Sequence, residues 1–301
     1  MAEDLTLGGL LSALGGAELV RGDPSAGVLG IEHDSRQVDG GFLFVAVPGA
    51  RVDGHVFLAE AAAGGATSLL VQRDRADQWS SLPTGPAIVA VDDTRRALSA
   101  TASWFWGRPS ASMKVIGITG TDGKSTTAHL MTTALQASGA RVGRLSTVDI
   151  LIPGQEGGAV GGRMTTPEAT EVHRVLRLMV DAGTDFAIVE STSHGLALNR
   201  LDHVEYDVAV LTNITGDHLD FHETFEAYRD AKGRLFEMVS VRSEDGLGAA
   251  VVNADDPSAN YLLGKASGVS KFRYGLDSED VDVTARQVVL RAEGTQFSLV
   301  T

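Results

Sequence analysis

Lys124, Glu190, His218 and Lys232 are the side chains of this 301-residue chain whose types and settings could do chemistry together. Gly123-Lys124-Ser125 closes a glycine-punctuated turn (Gly117, Gly120, Gly123) that follows the apolar run Val115, Ile116, Ile118 and opens directly into a helix. Such a turn lets backbone N–H groups approach an anion, and the helix N-terminus adds the positive end of its dipole. Lys124 would neutralise terminal phosphates, and the Ser125 hydroxyl would ligate Mg²⁺. Ile118 stands where the strict GxxxxGK[ST] pattern has glycine, yet Gly-Lys-Ser falls at the right strand–helix junction. A nucleotide site is expected there. Gly246-Leu247-Gly248 is no second one, because it precedes a strand instead of following it.

In open parallel sheets, ligands bind beyond the carboxyl ends of the strands. Three further strand-like runs end in polar groups: 186–189 in Glu190 and Ser191-Thr192-Ser193-His194, 208–211 in Thr212-Asn213 and then Asp217-His218, and 249–252 in Asn253 and then Asp255-Asp256. One such cluster alone reads as loop capping. Several beside a phosphate loop read as a magnesium–triphosphate site, since Mg²⁺ takes oxygen ligands and tolerates an imidazole. Asp217-His218-Leu219-Asp220-Phe221-His222 also carries two histidines at i, i+4 spacing, the spacing of a zinc pair on a helix. Thr224 has the character of an N-cap, so these residues precede the next helix instead of lying on it. His218 is therefore assigned beside the magnesium. Lys232 lies seven residues after Phe225, about 20° round an ideal helix, and so points into the apolar face of Phe225, Tyr228, Leu235, Phe236 and Val239. Lysine goes there by snorkelling past apolar neighbours, by meeting an acidic site, or as a modified side chain.

The elements that must position these groups alternate strand and helix from Val115 onward, as an α/β domain with a mostly parallel sheet does. Strands are expected at 115–118, 186–190, 208–212, 249–253 and 269–274. The helix after Lys124 places Met131, Ala134 and Leu135 on one face and stops at Gly139. Residues 153–162 form a glycine-rich loop. Thr166 has the character of an N-cap with Pro167 at the first helical position, before the spacing Val172, Val175, Leu176, Met179, Val180 and a stop at Gly183. Residues 1–110 read as a separate small α/β domain, with strands at 42–47, 69–71 and 87–91 and helices at 56–64 and 98–106. Residues 107–112 are a linker, and 111–301 form the phosphate-loop domain. No internal repeat or low-complexity tract occurs.

At 43% hydrophobic and 21% charged residues, the composition is that of an ordinary globular protein with room for two cores. A net charge of −14 argues against a general nucleic-acid or anionic-membrane surface, so an anionic ligand needs a local positive site. No apolar run reaches membrane-span length and the start, MAEDLTLGGL, lacks a signal core, which predicts a cytoplasmic chain. The absence of cysteine excludes disulfides, thiolate metal sites and cysteine nucleophiles.

These residues resemble the Mur ligase family. The family loop TGTNGK[ST]T is similar to Thr119 through Thr126, its TTP to Thr165-Thr166-Pro167, and its E-x-S-S-H-x-L to Glu190 through Leu196. TNLTRDHLDYH is similar to Thr212 through His222, and Y-x-x-A-K-x-x-L-F to Tyr228 through Phe236. Asp34-Ser35-Arg36, the LFVA-x-x-G run and Asp53-Gly54-His55 resemble the family's uridine-nucleotide-binding domain. The resemblance implies ATP-dependent amide formation that adds an amino acid to UDP-N-acetylmuramoyl-L-alanyl-D-glutamate through an acyl phosphate, in peptidoglycan precursor synthesis. It implies that Gly120, Thr121, Asp122, Gly123, Lys124, Ser125 and Thr126, with Asn253, hold ATP, and that Lys124, Glu190, His218 and Lys232 are catalytic. Ser125 and Glu190 would share one Mg²⁺, and Glu190, His218 and an N6-carboxylated Lys232 a second. Ser35, Ala50, Arg51 and Val52 would contact the uridine nucleotide; Thr165, Thr166, Thr192 and Arg200 would hold the muramoyl-peptide. A monomer that binds neither nucleic acid nor membrane is expected.

Met164, Gly216 and Leu198 depart from the family pattern, which predicts altered acceptor binding. The chain closes on Phe297-Ser298-Leu299-Val300-Thr301 in strand-like sequence, without the third domain that takes the incoming amino acid in the family. The expectation is therefore a fragment or a stand-alone homologue that turns over poorly by itself, and the identity of the added amino acid is not encoded here. Alternatives are a folylpolyglutamate-type ligase, a nucleotide-dependent switch, and a module that binds both ligands without chemistry.

Overall fold

A computed structural model describes residues 5–49, 52–80, 82, 84–155, 166–240 and 248–301. Ala50, Arg51, Met164, Thr165, most of the glycine-rich loop and the Gly246-Leu247 pair lie outside the described residues. Contacts gather the chain into two units: Met1–Pro109 with Glu168–Arg177 and Leu198–Val204, and Ser110–Pro167 with Leu178–Ala197 and Glu205–Thr301. Two short segments from the middle of the sequence thus belong with the first unit.

In the first unit the elements run α1 (Leu7–Leu14), β1 (Glu18–Arg21), β2 (Gly30–Glu32), β3 (Phe42–Val45), α2 (Leu58–Ala63), β4 (Ser68–Gln72), α3 (Ala76–Trp79), β5 (Ala87–Val91) and α4 (Thr94–Phe105). The sheet order is β1-β5-β4-β3-β2, parallel except for β1 against β5. Its inner strands are continuously apolar because both faces are covered. Leu43, Val45, Leu70 and Val89 pack with Leu7, Leu10, Leu98, Trp104 and Ala169. The alternate residues Phe44, Leu69, Val71 and Ile88 pack with Leu58, Ala61 and Trp79. The helix expected at 56–64 is a 3₁₀ turn, Gly54–Phe57, followed by the short α2. The helix expected from residue 98 starts four residues earlier, because Asp93 Oδ1 accepts from the N–H groups of Arg95 (2.9 Å) and Arg96 (3.0 Å). The expected linker is helical at its end, Pro109–Ser112.

The second unit contains β6 (Lys114–Thr119), α5 (Lys124–Ala137), β7 (Val142–Leu145), β8 (Ile150–Leu151), α6 (Ala169–Asp181, its first nine residues gathered with the first unit), β9 (Phe186–Glu190), α7 (Ser193–Ala197), β10 (Val208–Leu211), α8 (Leu219–His222), α9 (Phe225–Ser240), β11 (Ala249–Asn253), α10 (Ala259–Lys265), β12 (Ser270–Tyr274), β13 (Thr284–Arg291) and β14 (Gly294–Val300). The seven-stranded order is β12-β11-β10-β6-β9-β7-β8, parallel except for β7 against β8; β13 and β14 form a separate antiparallel hairpin. The five expected strands of this sheet are present with ends shifted by one residue at most. β6 is central, so the turn after it is flanked by the carboxyl ends of β9 and β10.

Thr166 does not cap α6, which begins at Ala169. Its hydroxyl is engaged by the end of β9, bonding Glu190 O (3.3 Å) and Thr192 Oγ1 (2.8 Å). The helix stops as expected at Gly183, which has φ 71°. α9 is capped by Thr224, whose Oγ1 accepts from Ala227 N (3.1 Å). The run with the two histidines forms its own one-turn helix, α8, ahead of α9.

Gly120 is the narrowest point of this arrangement. It has φ 154°, and a Cβ there would lie 1.8 Å from Thr212 Oγ1. Gly120→Ala should therefore lower unfolding stability by roughly 2 kcal/mol or more, through strain and displacement of Thr212. Denaturant titration of the variant beside the parent checks this.

Candidate active site

The loop between β6 and α5 is braced from β10 before any ligand is considered. Thr121 N donates to Asn213 O (2.7 Å) and Asp122 N to Asn213 Oδ1 (3.0 Å). Thr212 Oγ1 and Asn213 Nδ2 in turn donate to Asp122 O (2.7 and 3.0 Å). Gly123 takes a left-handed conformation, φ 81°, which starts α5 with no side-chain cap, so the first N–H groups of the helix are left for an anion. Gly120 to Thr126 line a cavity of about 330 Å³ with Thr147, Thr192, Ser193, His218, Tyr228 and Lys232.

Two ammonium groups converge on this loop. Lys124 Nζ donates to Gly120 O (3.1 Å) and Thr121 O (2.7 Å). Burial lowers its pKa, opposed by the carboxylates of Glu190, Asp122 and Asp217. Lys232, 1% exposed, donates to the same Gly120 oxygen at 2.6 Å and lies 4.3 Å from the centre of the Tyr228 ring. It neither snorkels nor pairs with a carboxylate among the described residues. Burial, reinforced by repulsion from Lys124, brings its pKa down to about 7.

Glu190 is fully buried at the end of β9. Its Oε2 accepts from Thr147 Oγ1 at 2.6 Å, and its Oε1 has no hydrogen-bond partner among the described residues. A buried carboxylate oxygen left open beside a phosphate-type loop suits a hard cation. Among the described residues no three His, Asp or Glu side chains gather to hold a metal alone.

His218 lines the cavity in a left-handed conformation (φ 53°), its Nε2 3.5 Å from Asp217 Oδ2. His194 stands edge-on to it, with ring centroids 4.9 Å apart. His222 is buried behind them; desolvation, then the neighbouring His194, Lys232 and His218, bring its pKa down to about 4.

The remaining expected residues have these partners. Asn253 donates to Thr212 O (3.1 Å) and accepts from Asp255 N (3.1 Å), and it does not line this cavity. Asp256 accepts from Ile214 N (2.6 Å), and Asp255 accepts from the backbone of Leu276 and Ser278, so both carboxylates fasten loops instead of facing a cation. In the first unit Ser35 Oγ donates to Glu60 Oε1 (3.1 Å), Val52 is exposed, and Arg200 pairs with Glu168 (2.6 Å). Thr192 is held by Thr166 and caps the turn at Gly195 (3.1 Å). Thr147, bonded to Glu190, went unread in the sequence, because Ser-Thr-Val-Asp between two short strands has neither periodicity nor motif.

A phosphate-type loop after the central strand of a parallel sheet, beside a buried carboxylate and a buried lysine, defines an α/β protein of the phosphate-loop class. Residues 118–301 match the Mur ligase middle domain and residues 28–106 match the Mur ligase family catalytic domain. The chain belongs to the Mur ligase family. It is 35% identical over 293 residues to the UDP-N-acetylmuramoyl-L-alanyl-D-glutamate–2,6-diaminopimelate ligase of Bacillus licheniformis, covering 97% of this chain and 58% of that protein. It is 40% identical over 282 residues to the UDP-N-acetylmuramyl-tripeptide synthetase of Roseiflexus sp., covering 91% and 54%. A solved UDP-N-acetylmuramoyl-L-alanyl-D-glutamate–2,6-diaminopimelate ligase superposes with a TM-score of 0.76 at 26% identity, covering 94% of this chain and 56% of that one. The chain thus spans a little over half the length of these relatives. No described helix is long and apolar enough to cross a membrane.

The Lys232 geometry has a consequence for stability. Between pH about 7 and the ordinary lysine value of 10.5, the folded chain holds a neutral amine while the unfolded chain holds a proton. Stability contributed by this group therefore rises with pH across that window. In Lys232→Met that increment should vanish, and below pH 7 the variant should be at least as stable as the parent. Denaturant melts from pH 6 to 10 read both slopes.

Proposed function

We propose that this chain carries the nucleotide cradle and muramoyl-peptide grip of an ATP-dependent amide ligase of peptidoglycan precursor synthesis, adding an amino acid to UDP-N-acetylmuramoyl-L-alanyl-D-glutamate. The observation that carries the reading is the meeting of Lys124 and Lys232 on the Gly120 carbonyl of one phosphate-type loop, with the Glu190 carboxylate near enough to act on Lys124 and its Oε1 without a hydrogen-bond partner among the described residues. In the reaction, a carboxylate oxygen of the muramoyl-peptide attacks the γ-phosphorus of ATP and ADP leaves. The amine of the incoming amino acid then attacks the acyl carbon of the resulting acyl phosphate, and phosphate leaves from the tetrahedral intermediate. Such transfers depend on positioning and charge stabilisation more than on covalent help from the protein.

The N–H groups of Gly120 to Thr126 bind the phosphates, and Lys124 exchanges its carbonyl partners for phosphate oxygens. Ser125 and Glu190 are suited to one Mg²⁺, and Glu190, His218 and a carboxylated Lys232 to a second; bound there, the ions would offset triphosphate charge. Lys232 suits carboxylation because its amine is buried and, among the described residues, pairs with no carboxylate. The lone pair of the neutral Nζ amine attacks the carbon of CO₂, an N–C bond forms as one C=O π bond opens to C–O⁻, one proton leaves Nζ for solvent, and an anion replaces the neutral amine at the cavity wall. Ser35, Ala50, Arg51 and Val52 are assigned to the uridine nucleotide, and Thr165, Thr166, Thr192 and Arg200 to the muramoyl-peptide. Asn253 acts on the nucleotide site through the Thr212 carbonyl it holds. A cytoplasmic, monomeric setting goes with the family reading.

Calorimetric titration with UDP-N-acetylmuramoyl-L-alanyl-D-glutamate, in the presence of Mg²⁺ and a non-hydrolysable ATP analogue, tests the substrate class. Binding that weakens at least tenfold in Thr166→Val or Ser35→Ala is expected; nucleotide binding without any muramoyl-peptide binding, even with the remainder of a relative's chain fused on, would overturn it. For the lysine, ¹³C-bicarbonate should give a carbamate resonance that is absent from Lys232→Ala, and activity lost in that variant should return in part with a short carboxylic acid. A fully active Lys232→Ala protein would sink the role.

A further inference from the structure

The turn between β7 and β8 has no part in the roles assigned above, yet it is built more tightly than a hairpin tip needs. Leu145 pairs with Ile150, leaving Ser146-Thr147-Val148-Asp149 as a four-residue turn closed by Ser146 N donating to Asp149 O at 3.0 Å. Ser146 Oγ accepts from Val148 N (3.2 Å) and Asp149 N (3.1 Å) and donates to Asp149 Oδ1 (2.9 Å). The two carboxylate oxygens of Asp149 take a forked pair of bonds from Arg144, Nε at 3.1 Å and Nη2 at 2.7 Å. The third arm of the buried Arg144 guanidinium, Nη1, donates to Thr132 Oγ1 at 2.9 Å. Thr132 is on α5, the helix that the phosphate-type loop opens. An exposed turn is thereby fastened, through a planar fork that resists rotation, to the same rigid element as Lys124 and Ser125.

At the tip, Thr147 Oγ1 donates to Glu190 Oε2 at 2.6 Å, a short bond. With Oε2 occupied, the rotation of the Glu190 carboxylate is restricted, and Oε1 is the oxygen left without a partner among the described residues. Thr147 itself lines the cavity. A serine or threonine hydroxyl is suited to this: donating to Oε2 leaves the lone pairs of Oε1 for a cation.

We propose that Thr147, held by the Arg144–Asp149–Ser146 turn, is a positioning residue that orients Glu190 so that its Oε1 faces the divalent cation of the bound nucleotide. The inference rests on the nucleotide-and-magnesium reading of the cavity. Groups that orient metal ligands by hydrogen bonding commonly change metal affinity by about 10- to 100-fold when removed. Thr147→Val keeps the shape and removes only the donor; Thr147→Ser keeps the donor.

The test is Mn²⁺ binding by electron paramagnetic resonance in the presence of ADP, on the whole chain, for the parent, Thr147→Val, Thr147→Ser and Asp149→Asn. Metal-free ADP binding in EDTA is measured alongside. The expected result is Mn²⁺ affinity at least tenfold weaker in Thr147→Val, within about threefold of the parent in Thr147→Ser, and intermediate in Asp149→Asn, with metal-free ADP affinity unchanged throughout. Equal Mn²⁺ affinity in the parent and Thr147→Val overturns the inference, as does equal weakening in Thr147→Ser, because the donor would then be irrelevant. A parent chain that binds neither ADP nor Mn²⁺ overturns the nucleotide reading instead, so the two failures are separable.

Discussion

The hydrogen bond from Lys232 to the carbonyl of Gly120 is the contact on which the rest of the site depends. An ammonium with 1% of its surface exposed is expensive to keep unless something in the site requires it, and here its acceptor is a neutral carbonyl and an aromatic face. Lys124 donates to the same carbonyl. Two amines meet on one neutral oxygen, and repulsion from Lys124 helps to bring the Lys232 pKa down; an anion arriving at the loop relieves that tension. The loop therefore offers an anion two amine donors as well as its backbone N–H groups. Carboxylation of Lys232 would relieve the same tension from the other side, by making one of the two groups an anion.

What keeps that tension from opening the loop is the sheet. Asn213, one strand away, holds the amides of Thr121 and Asp122, it and Thr212 hold the carbonyl of Asp122, and the close approach at Gly120 leaves no room for a side chain. The parallel order around β6 puts the ends of β9 and β10 on either side, so the carboxylate and the braces come from neighbouring strands. Rigidity in strands, with mobile charge on long side chains, is a sensible division for a site that must accept a highly charged ligand.

Much of this was legible in the sequence where a residue's role is local or periodic. The strands from Val115 to Tyr274 are short apolar runs between turn signals, and Gly123-Lys124-Ser125 marks its junction by itself. The inward direction of Lys232 followed from its spacing to Phe225. Roles set by tertiary hydrogen bonds were not legible. Thr166 has a capping side chain and a following proline, but the end of β9 claims its hydroxyl. Asp255 and Asp256 look like metal ligands by composition, yet backbone N–H groups from distant loops occupy them. Short strands such as β2 and β8, with three and two residues, carry too little pattern to be read at all.

The way the two units share the chain bears on how such a protein can be rebuilt. Ala169 is part of the core that Leu98 and Trp104 help to form, and the buried His173 meets Ser99, so the first unit is not finished until residues beyond 167 have been made. During synthesis on the ribosome, the first hundred residues emerge with a gap in their packing that only later sequence fills. A single genetic crossover near residue 110 would exchange an incomplete part. Recombination between relatives should therefore favour exchanges that carry 168–177 and 198–204 together with the amino-terminal segment, and the lineage of this fold should resemble inheritance of one interwoven piece more than the shuffling of two beads.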